Sequence, residues 1–456
     1  MLNKKIVLRD LSHSLKYLSG LFLVPALVGL YFHESPIPFI LPFLITFFIS
    51  KLIHIDEEGE ARLREGIVTV TILWLGIILV SALPFILLAK LSFLNALFES
   101  ASAWTTTGLT DTIPENLPKS LLFWRSFEQW LGGIGVITLA ILGLFKAGGA
   151  LFIAEGHEKI KPNIFNTVKM LCIFYGMFTI FGVILFLLFS NLSLFDAVNH
   201  TMTALSTGGL STKTESIGFY SNLGAEVVSM VMMLIGSISF LMHYRLVFGG
   251  LNGIGAFLKD IQNLMLFLIV FMGAAFLFLE RSLRVAVFHA VSALSGTGFN
   301  LVDLTKWEDY SKLILITLMI FGGAMGSTAG GLKLIRVAVF FKTIYLSIMR
   351  TLYPNRVFLN KFGDHTFKNE EILGIFKFIA LYVLLLYISA FLLTLNGDKF
   401  IDALFMTASA QGNVGLSVTG FDSFTKIILI WNMIIGRLEL WGVLMITGLF
   451  FWGRSK

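Results

Sequence analysis

Charge is scarce in this chain: Asp, Glu, Lys and Arg together make up 14% of its 456 residues, while 56% are hydrophobic. A soluble chain of that length needs polar surfaces on every domain, so the composition points to an integral membrane protein. Cysteine is nearly missing. The lone Cys172 lies in an apolar run, which excludes an intrachain disulfide and a cysteine-based metal site. Long polar linkers are absent too, so one membrane domain is expected, without a soluble enzymatic module. A membrane-embedded enzyme would need paired Asp, His or Ser–base groups inside the spans, and the central spans carry almost none, so no enzymatic activity is expected. The opening "MLNKKIVLRD" is basic, but no small-residue cleavage pattern follows the first apolar run, so no cleavable signal peptide is expected.

What the chain does hold is long apolar segments. Ten are long enough to span a bilayer, at about 15–32, 36–54, 66–90, 121–145, 168–190, 224–248, 263–280, 311–345, 371–395 and 424–452. Lys and Arg alternate sides. One side collects Lys4, Lys5, Arg9, Lys16, Lys51, Arg62, Arg64, Lys146, Lys159, Lys161, Lys169, Arg245 and Lys259. It also takes the group Lys333, Arg336, Lys342, Arg350, Arg356, Lys361 and Lys368, and the tail Arg454 and Lys456. The other side has few, such as Lys90, Lys119, Lys213, Arg281, Arg284, Lys306 and Lys399. Both termini are therefore expected in the cytoplasm. This bias accounts for the net charge of +6 without a nucleic-acid partner.

A small, polar phrase recurs four times on the outer side: "LFESASAWTTTGLTD" (97–111), "AVNHTMTALSTGGLS" (197–211), "VFHAVSALSGTGFN" (287–300) and "LFMTASAQGNVGLS" (404–417). Each copy is too short to cross and too apolar for an ordinary loop, and each lies between two spans. A half-helix that dips in from outside and ends at glycine fits that pattern. Aligned on Gly108, Gly208, Gly298 and Gly415, the copies are spaced by 100, 90 and 117 residues, with the second about one residue out of step. Irregular backbone at membrane depth is tolerated only where protein buries it or it lines a wet path. Four such segments around an axis would form rings of carbonyls able to replace a monovalent cation's water shell. The helix C-terminal ends would face the ion with partial negative charge. Small-residue helix packing is the competing reading. Four copies on one side, each between spans, favour the pore. The expected filter residues are Thr106, Thr107, Gly108 and Leu109; Ser206, Thr207, Gly208 and Gly209; Gly296, Thr297, Gly298 and Phe299; and Asn413, Val414, Gly415 and Leu416.

The filter strings "TTTG", "STGG", "GTGF" and "NVGL", with "FWRSFEQWLGGIGV" (123–136), "GGAMGSTAGGLKLIR" (322–336) and "GRLELW" (436–441), resemble the Trk/Ktr/HKT superfamily of cation transporters. Within it, the whole chain resembles the Trk-type potassium transporter membrane subunit, including two extra spans ahead of the first unit. The resemblance implies an all-α fold of about ten transmembrane helices and four re-entrant pore half-helices around a pseudo-fourfold pore. The units would be 1–65 for the two N-terminal helices and cytoplasmic loop, then 66–165, 166–260, 261–368 with the gate loop, and 369–456. It implies K+ bound in the filter as the transported ion and no organic cofactor. A homodimer in membrane lipid is implied, in the cytoplasmic membrane of a prokaryote, gated by a cytoplasmic Trk-type regulatory subunit that binds nucleotide. "GLNGIG" (250–255) lacks a preceding soluble strand and reads as loop and packing glycine, so nucleotide sensing is left to that partner. Gly108 stands where plant relatives that carry sodium have serine, which favours potassium. The alternatives are a sodium or non-selective path in the same fold, or a secondary transporter, which would instead show inverted repeats and half-helix N-termini at the midplane.

Two further features suggest a gate. "FGGAMGSTAGGLK" (321–333) puts five glycines into a span, at about 1 kcal/mol each relative to alanine, so a break is expected. With Gly322, Gly323, Gly326, Ser327, Thr328, Gly330 and Gly331 it reads either as a flexible loop beneath the filter or as a helix contact surface. Arg437 lies deep in the last span, at a cost of roughly 2.5–3.5 kcal/mol. It reads as a positive charge beside that loop, or as half of a salt bridge to another span. Glu439 is on a different helix face from Arg437. Arg125 and Glu128 suggest a local pair, His200 and His289 core hydrogen bonding, and Asp111 and Asp422 either cation attraction at the mouth or plain loop.

Overall fold

In a computed structural model, residues 2–59, 61–135, 164–279, 281–362 and 365–438 are described. The expected stretches 136–145 and 439–452, with Lys146, Lys159, Lys161, Glu439, Arg454 and Lys456, lie outside these residues. The described chain is helical apart from a two-residue β pair, β1 (Lys361–Phe362) against β2 (His365–Thr366).

The helices are α1 (Lys4–Leu21), α2 (Leu23–Tyr31), α3 (Ile37–Leu52), α4 (Leu63–Ser81), α5 (Leu83–Ala89), α6 (Phe93–Trp104) and α7 (Lys119–Ile134). Then come α8 (Ile164–Phe189), α9 (Leu194–Leu205), α10 (Leu223–Ser237), α11 (Phe240–Phe248), α12 (Gly250–Lys259) and α13 (Ile261–Phe278). The last are α14 (Leu283–Ser295), α15 (Asp309–Phe321), α16 (Leu334–Leu352), α17 (Asn369–Leu395), α18 (Phe400–Gln411) and α19 (Ser423–Arg437). Among the described residues, Lys4–Tyr31, Arg64–Ala89, Val168–Phe189 and Asn369–Leu395 are long and apolar enough to cross a membrane. The bent pairs α10–α11 and α12–α13 bring the number to six. Large apolar side chains such as Leu188 and Phe271 stand exposed around them, a surface that suits lipid.

Three differences from the sequence reading have local causes. The first helix begins at Lys4 rather than near residue 15. Its polar half is buried: Arg9 pairs with Asp10 at 2.8 Å and donates to the carbonyls of Glu57 and Gly59, each at 2.8 Å. Segment 224–248 is not one straight helix but bends by 99° between α10 and α11. "GLNGIG" is not loop but the start of α12, where a Cβ on Gly253 would lie 1.9 Å from the Arg245 carbonyl.

The short helices α6, α9, α14 and α18 hold the architecture together. Each packs on the helix that follows the previous one: α9 on α7, α14 on α10, and α18 on α15. The cycle closes where α6 packs on α19, from the far end of the chain. Ser92, Ser193 and Ser282 cap the first three by accepting a backbone N–H, which satisfies donors that a helix start leaves open. The core lies around these helices. Behind α6 an aromatic stack runs from Trp74 through Trp104 to Trp124, with centroids 6.4 and 6.5 Å apart, and Phe22 from the N-terminal helices closes on Trp124 at 5.0 Å.

Candidate functional site

Each short helix ends in the same backbone device. In the first copy the Thr106 amide donates to the Ala103 carbonyl, and the Thr107 and Gly108 amides both turn back to Ser102. The second copy repeats this with Thr207 to Ala204, and Gly208 and Gly209 to Thr203. The third uses Gly296 to Ala293, and Thr297 and Gly298 to Ser292. In the fourth, Asn413 donates to Ala410, Val414 to the Ser409 carbonyl and Gly415 to the Ser409 hydroxyl. The chain reverses at Thr106, Thr207, Gly296 and Asn413, with φ of 56°, 53°, 76° and 52°, and again two residues later at Gly108, Gly209, Gly298 and Gly415. This corrects the alignment: Gly209, with φ of 72°, is the counterpart of Gly108, and Gly208 stands one place earlier. The second copy is not out of step. Its paired glycines offered two registers, and only the backbone tells them apart.

These four glycines form a closed ring. A Cβ on Gly108 would lie 2.1 Å from the Gly208 carbonyl, on Gly209 1.9 Å from Thr297, on Gly298 1.9 Å from Val414, and on Gly415 2.1 Å from Thr107. No side chain fits at any of the four, and each would meet backbone of the next copy. Above the ring opens a cavity of about 230 Å³, lined by all four glycines and by Thr110, Ser211, Thr214, Asn300 and Ser417, with Lys213 at its wall. Side chains tie the ring beneath: Asn413 donates to the Thr107 hydroxyl at 3.0 Å and to the Met433 carbonyl at 2.9 Å. Leu109, Phe299 and Leu416 are buried behind it, as is Ser206.

Sequence reasoning missed Gln129. Its amide donates to the Gly208 carbonyl at 2.6 Å and accepts from the Leu210 amide at 3.0 Å, so α7 grips the second copy from behind. Its signal was a buried amide in an apolar helix, which needs partners. Arg125 does not make the expected local pair. It reaches Glu99 on α6 at 3.4 Å and donates to Thr110 at 2.8 Å, because its face of α7 packs on α6. Asp111 bonds to Lys426 at 2.5 Å, so its charge is matched. Asp422 caps α19, accepting from the Thr425 amide at 2.8 Å and from Asn396 at 2.8 Å. The hydrogen bonds from Thr425 and Asn396 hold its carboxyl below the usual range.

Below the ring lies the glycine-rich segment between α15 and α16. The break expected there is present, but the segment is well anchored. The Ala324 and Thr328 amides donate to the carbonyls of Ser237 and Gly236 at 2.9 and 3.1 Å, and the Phe240 amide donates to Gly326 at 3.0 Å. The α10–α11 bend is thus satisfied by this loop: α10 gives carbonyls left open at its end, and α11 a donor left open at its start. Thr328 also donates to the Leu205 and Gly236 carbonyls and meets Thr207 at 3.2 Å. Gly322, Gly323, Gly330 and Gly331 pack too tightly for any side chain, with Gly330 against the Gly412 carbonyl. Gly326, with φ of 74°, is less crowded, a Cβ there lying 3.3 Å from the Ser239 hydroxyl, and Ser327 turns back on Ala324 at 2.6 Å.

Arg437 joins loop and ring. Half-buried, it donates to the Thr328 carbonyl at 3.0 Å and the Thr106 hydroxyl at 3.2 Å, and it also meets the carbonyls of Gly132 and Gly133. These contacts place Arg437 beside the loop. Among the described residues no group of three or more His, Cys, Asp and Glu could hold a metal ion.

Comparison with known proteins agrees with this architecture. The family model described as "Cation transport protein", TrkH, matches residues 39–280 and 274–448. An uncharacterized cation transporter of Methanocaldococcus jannaschii is 33% identical, over 94% of this chain and 92% of its own. The Trk system potassium uptake protein TrkH of Escherichia coli K12 is 30% identical, over 95% of this chain and 96% of its own. The crystal structure of the potassium transporter TrkH from Vibrio parahaemolyticus superposes with a TM-score of 0.88 at 26% identity, covering 99% of this chain and all of that one.

Proposed function

Because the chain belongs to the TrkH family of cation transport proteins, we propose that it takes up potassium through a pore whose filter is the four-glycine ring. The carrying observation is that four backbone turns of one design meet in a closed ring under a polar cavity. Backbone oxygens at such a constriction can replace an ion's hydration shell, and a ring that admits no side chain keeps its spacing fixed. In this reading the four short helices are re-entrant, entering from outside between spans, and K+ is bound transiently as cargo. The chain is then a transporter rather than an enzyme, and no organic cofactor is needed. Its units are residues 66–165, 166–260, 261–368 and 369–456, preceded by the N-terminal helices of 1–65.

The loop from Gly322 to Gly331 and Arg437 form the gate in this reading. In the geometry described, a fixed positive charge and an anchored loop lie directly beneath the ring, which fits a closed pore. Opening then requires breaking named hydrogen bonds rather than displacing slack chain. The protein sits in the cytoplasmic membrane of a prokaryote with both termini inside, as a homodimer. A nucleotide-binding regulatory subunit docks on the basic inner face that follows α16.

The test is growth of a potassium-uptake-deficient bacterium at low potassium, with and without this protein and its regulatory subunit. Rescue is expected, and it should fail when sodium replaces potassium. No rescue with folded protein in the membrane would overturn the reading, and sodium-dependent growth would move it to a sodium path in the same fold.

A further inference from the structure

With Gly209 in register, one more position lines up. Counting back nine residues from each ring glycine gives Glu99, His200, His289 and Met406. Each is the seventh residue of its short helix, and all four are buried. They share no chemistry as a set, yet each does one job: it accepts a hydrogen bond from the chain just beyond the ring. Glu99 accepts from the Asp111 amide at 2.9 Å and from the Thr110 hydroxyl at 2.8 Å. Met406 accepts through sulfur from the Val418 amide at 3.4 Å. His289 meets the Leu301 amide at 3.5 Å, and His200 the Ser211 hydroxyl at 2.9 Å.

The histidine tautomers follow from the partners. In both rings Nδ1 faces a carbonyl of the preceding turn, Asp196 or Val285, each at 2.8 Å, and a carbonyl can only accept. Nδ1 therefore carries the proton, and Nε2 is left as the acceptor that the segment beyond the ring requires.

We infer that Glu99, His200, His289 and Met406 are positioning residues that fix the four segments leaving the ring, and thereby set how sharply the ring distinguishes potassium from sodium. A filter discriminates by holding its oxygens at one spacing, and losing an outer anchor frees the backbone leaving the ring to relax. The inference rests on the reading of the ring as an ion filter. It also explains why unlike side chains stand at equivalent places: an acceptor of the right reach is all that is needed.

The test is uptake of labelled rubidium into proteoliposomes holding the purified full chain, with added sodium as competitor. Variants are His289→Leu, His289→Met and Met406→Leu, each checked for folding by thermal melting. Leucine and methionine are close in volume, so they separate packing from the acceptor. For His289→Leu and Met406→Leu, the sodium concentration that halves uptake should fall roughly threefold or more, as for a lost hydrogen bond. His289→Met should restore much of it. Met406→Leu alone decides the matter if the histidine variant does not fold. Wild-type protein that takes up no rubidium would sink the filter reading itself. Wild-type uptake with unchanged sodium block in the leucine variants, or methionine no better than leucine at 289, would sink the positioning assignment alone.

Discussion

Replacing Arg437 by alanine should make the protein leak. The guanidinium is 3.2 Å from the Thr106 hydroxyl and 3.0 Å from the Thr328 carbonyl, so it occupies the space between ring and loop. An ion held at the level of Thr106 would stand roughly 6 Å from that charge, where two unit charges at an effective dielectric of about 20 repel by about 3 kcal/mol. Removed in full, a barrier of that size is worth about a hundredfold in rate. Water entering the vacated space stands in for part of the lost contacts and screens what remains, so the expected rise in basal flux is about tenfold or more. The assay is rubidium uptake into proteoliposomes without the regulatory subunit, normalised to folded protein. Arg437→Gln separates the two contributions, because it keeps a donor for the loop and loses the charge. Flux from a well-folded Arg437→Ala protein no greater than wild type would make the arginine a structural tether and refute the electrostatic barrier.

Deleting Gly326 to Thr328 should also raise basal flux, and combined with Arg437→Ala the effect should be less than additive if both act on one barrier; full additivity in the same uptake assay would separate them. Gly209→Ala should be far more damaging than Gly208→Ala. The first adds a Cβ 1.9 Å from backbone at positive φ, a strain of about 1–2 kcal/mol before any clash, whereas the atoms nearest the second belong to the Gln129 side chain. Sodium block of rubidium uptake ranks the two, and the reverse order would restore the Gly208 register. Reversing the exposed Arg356, Lys361 and Lys368 to Glu should weaken copurification with the regulatory subunit without unfolding the chain. Arg350 is left alone because it holds the Phe358 carbonyl and Asn360, each at 3.0 Å. Copurification that survives would leave the cluster a topology signal only.

The sequence made the broad plan legible because that plan is written in hydrophobicity. Apolar length marks spans, and a small-residue phrase ending in glycine stands out against Phe-rich surroundings. The glycine run at 321–333 likewise announced a break, and Arg437 announced a reason to be buried. Features set by tertiary contact were hidden. The α10–α11 bend falls at Ile238 and Ser239, with no proline or glycine at the corner, and it is held by a loop nearly ninety residues further on in the chain. Arg125 chose Glu99 over the nearer Glu128 because helix faces, not sequence distance, decide contacts. Glu99, His200, His289 and Met406 could not be matched by eye. Their side chains have nothing in common, and the one-residue slip at Gly208 would have set Asn199 in the place of His200.

The cycle of short helices closes between the two ends of the chain, where Lys426 on α19 reaches Asn95 at 2.8 Å and Asp111 at 2.5 Å. During synthesis, three quadrants therefore exist long before the fourth can meet the first. Contacts of such sequence separation form late, since the loop entropy is lost before they return anything. A chain released before Ser423 would hold all four short helices and their turns, but no α19 to seat α6. It should be recognised as unfinished by exposed polar groups in the membrane rather than function as a partial pore. The last of the described helices is thus the keystone of the assembly, and cells expressing truncated chains should degrade them rather than leak.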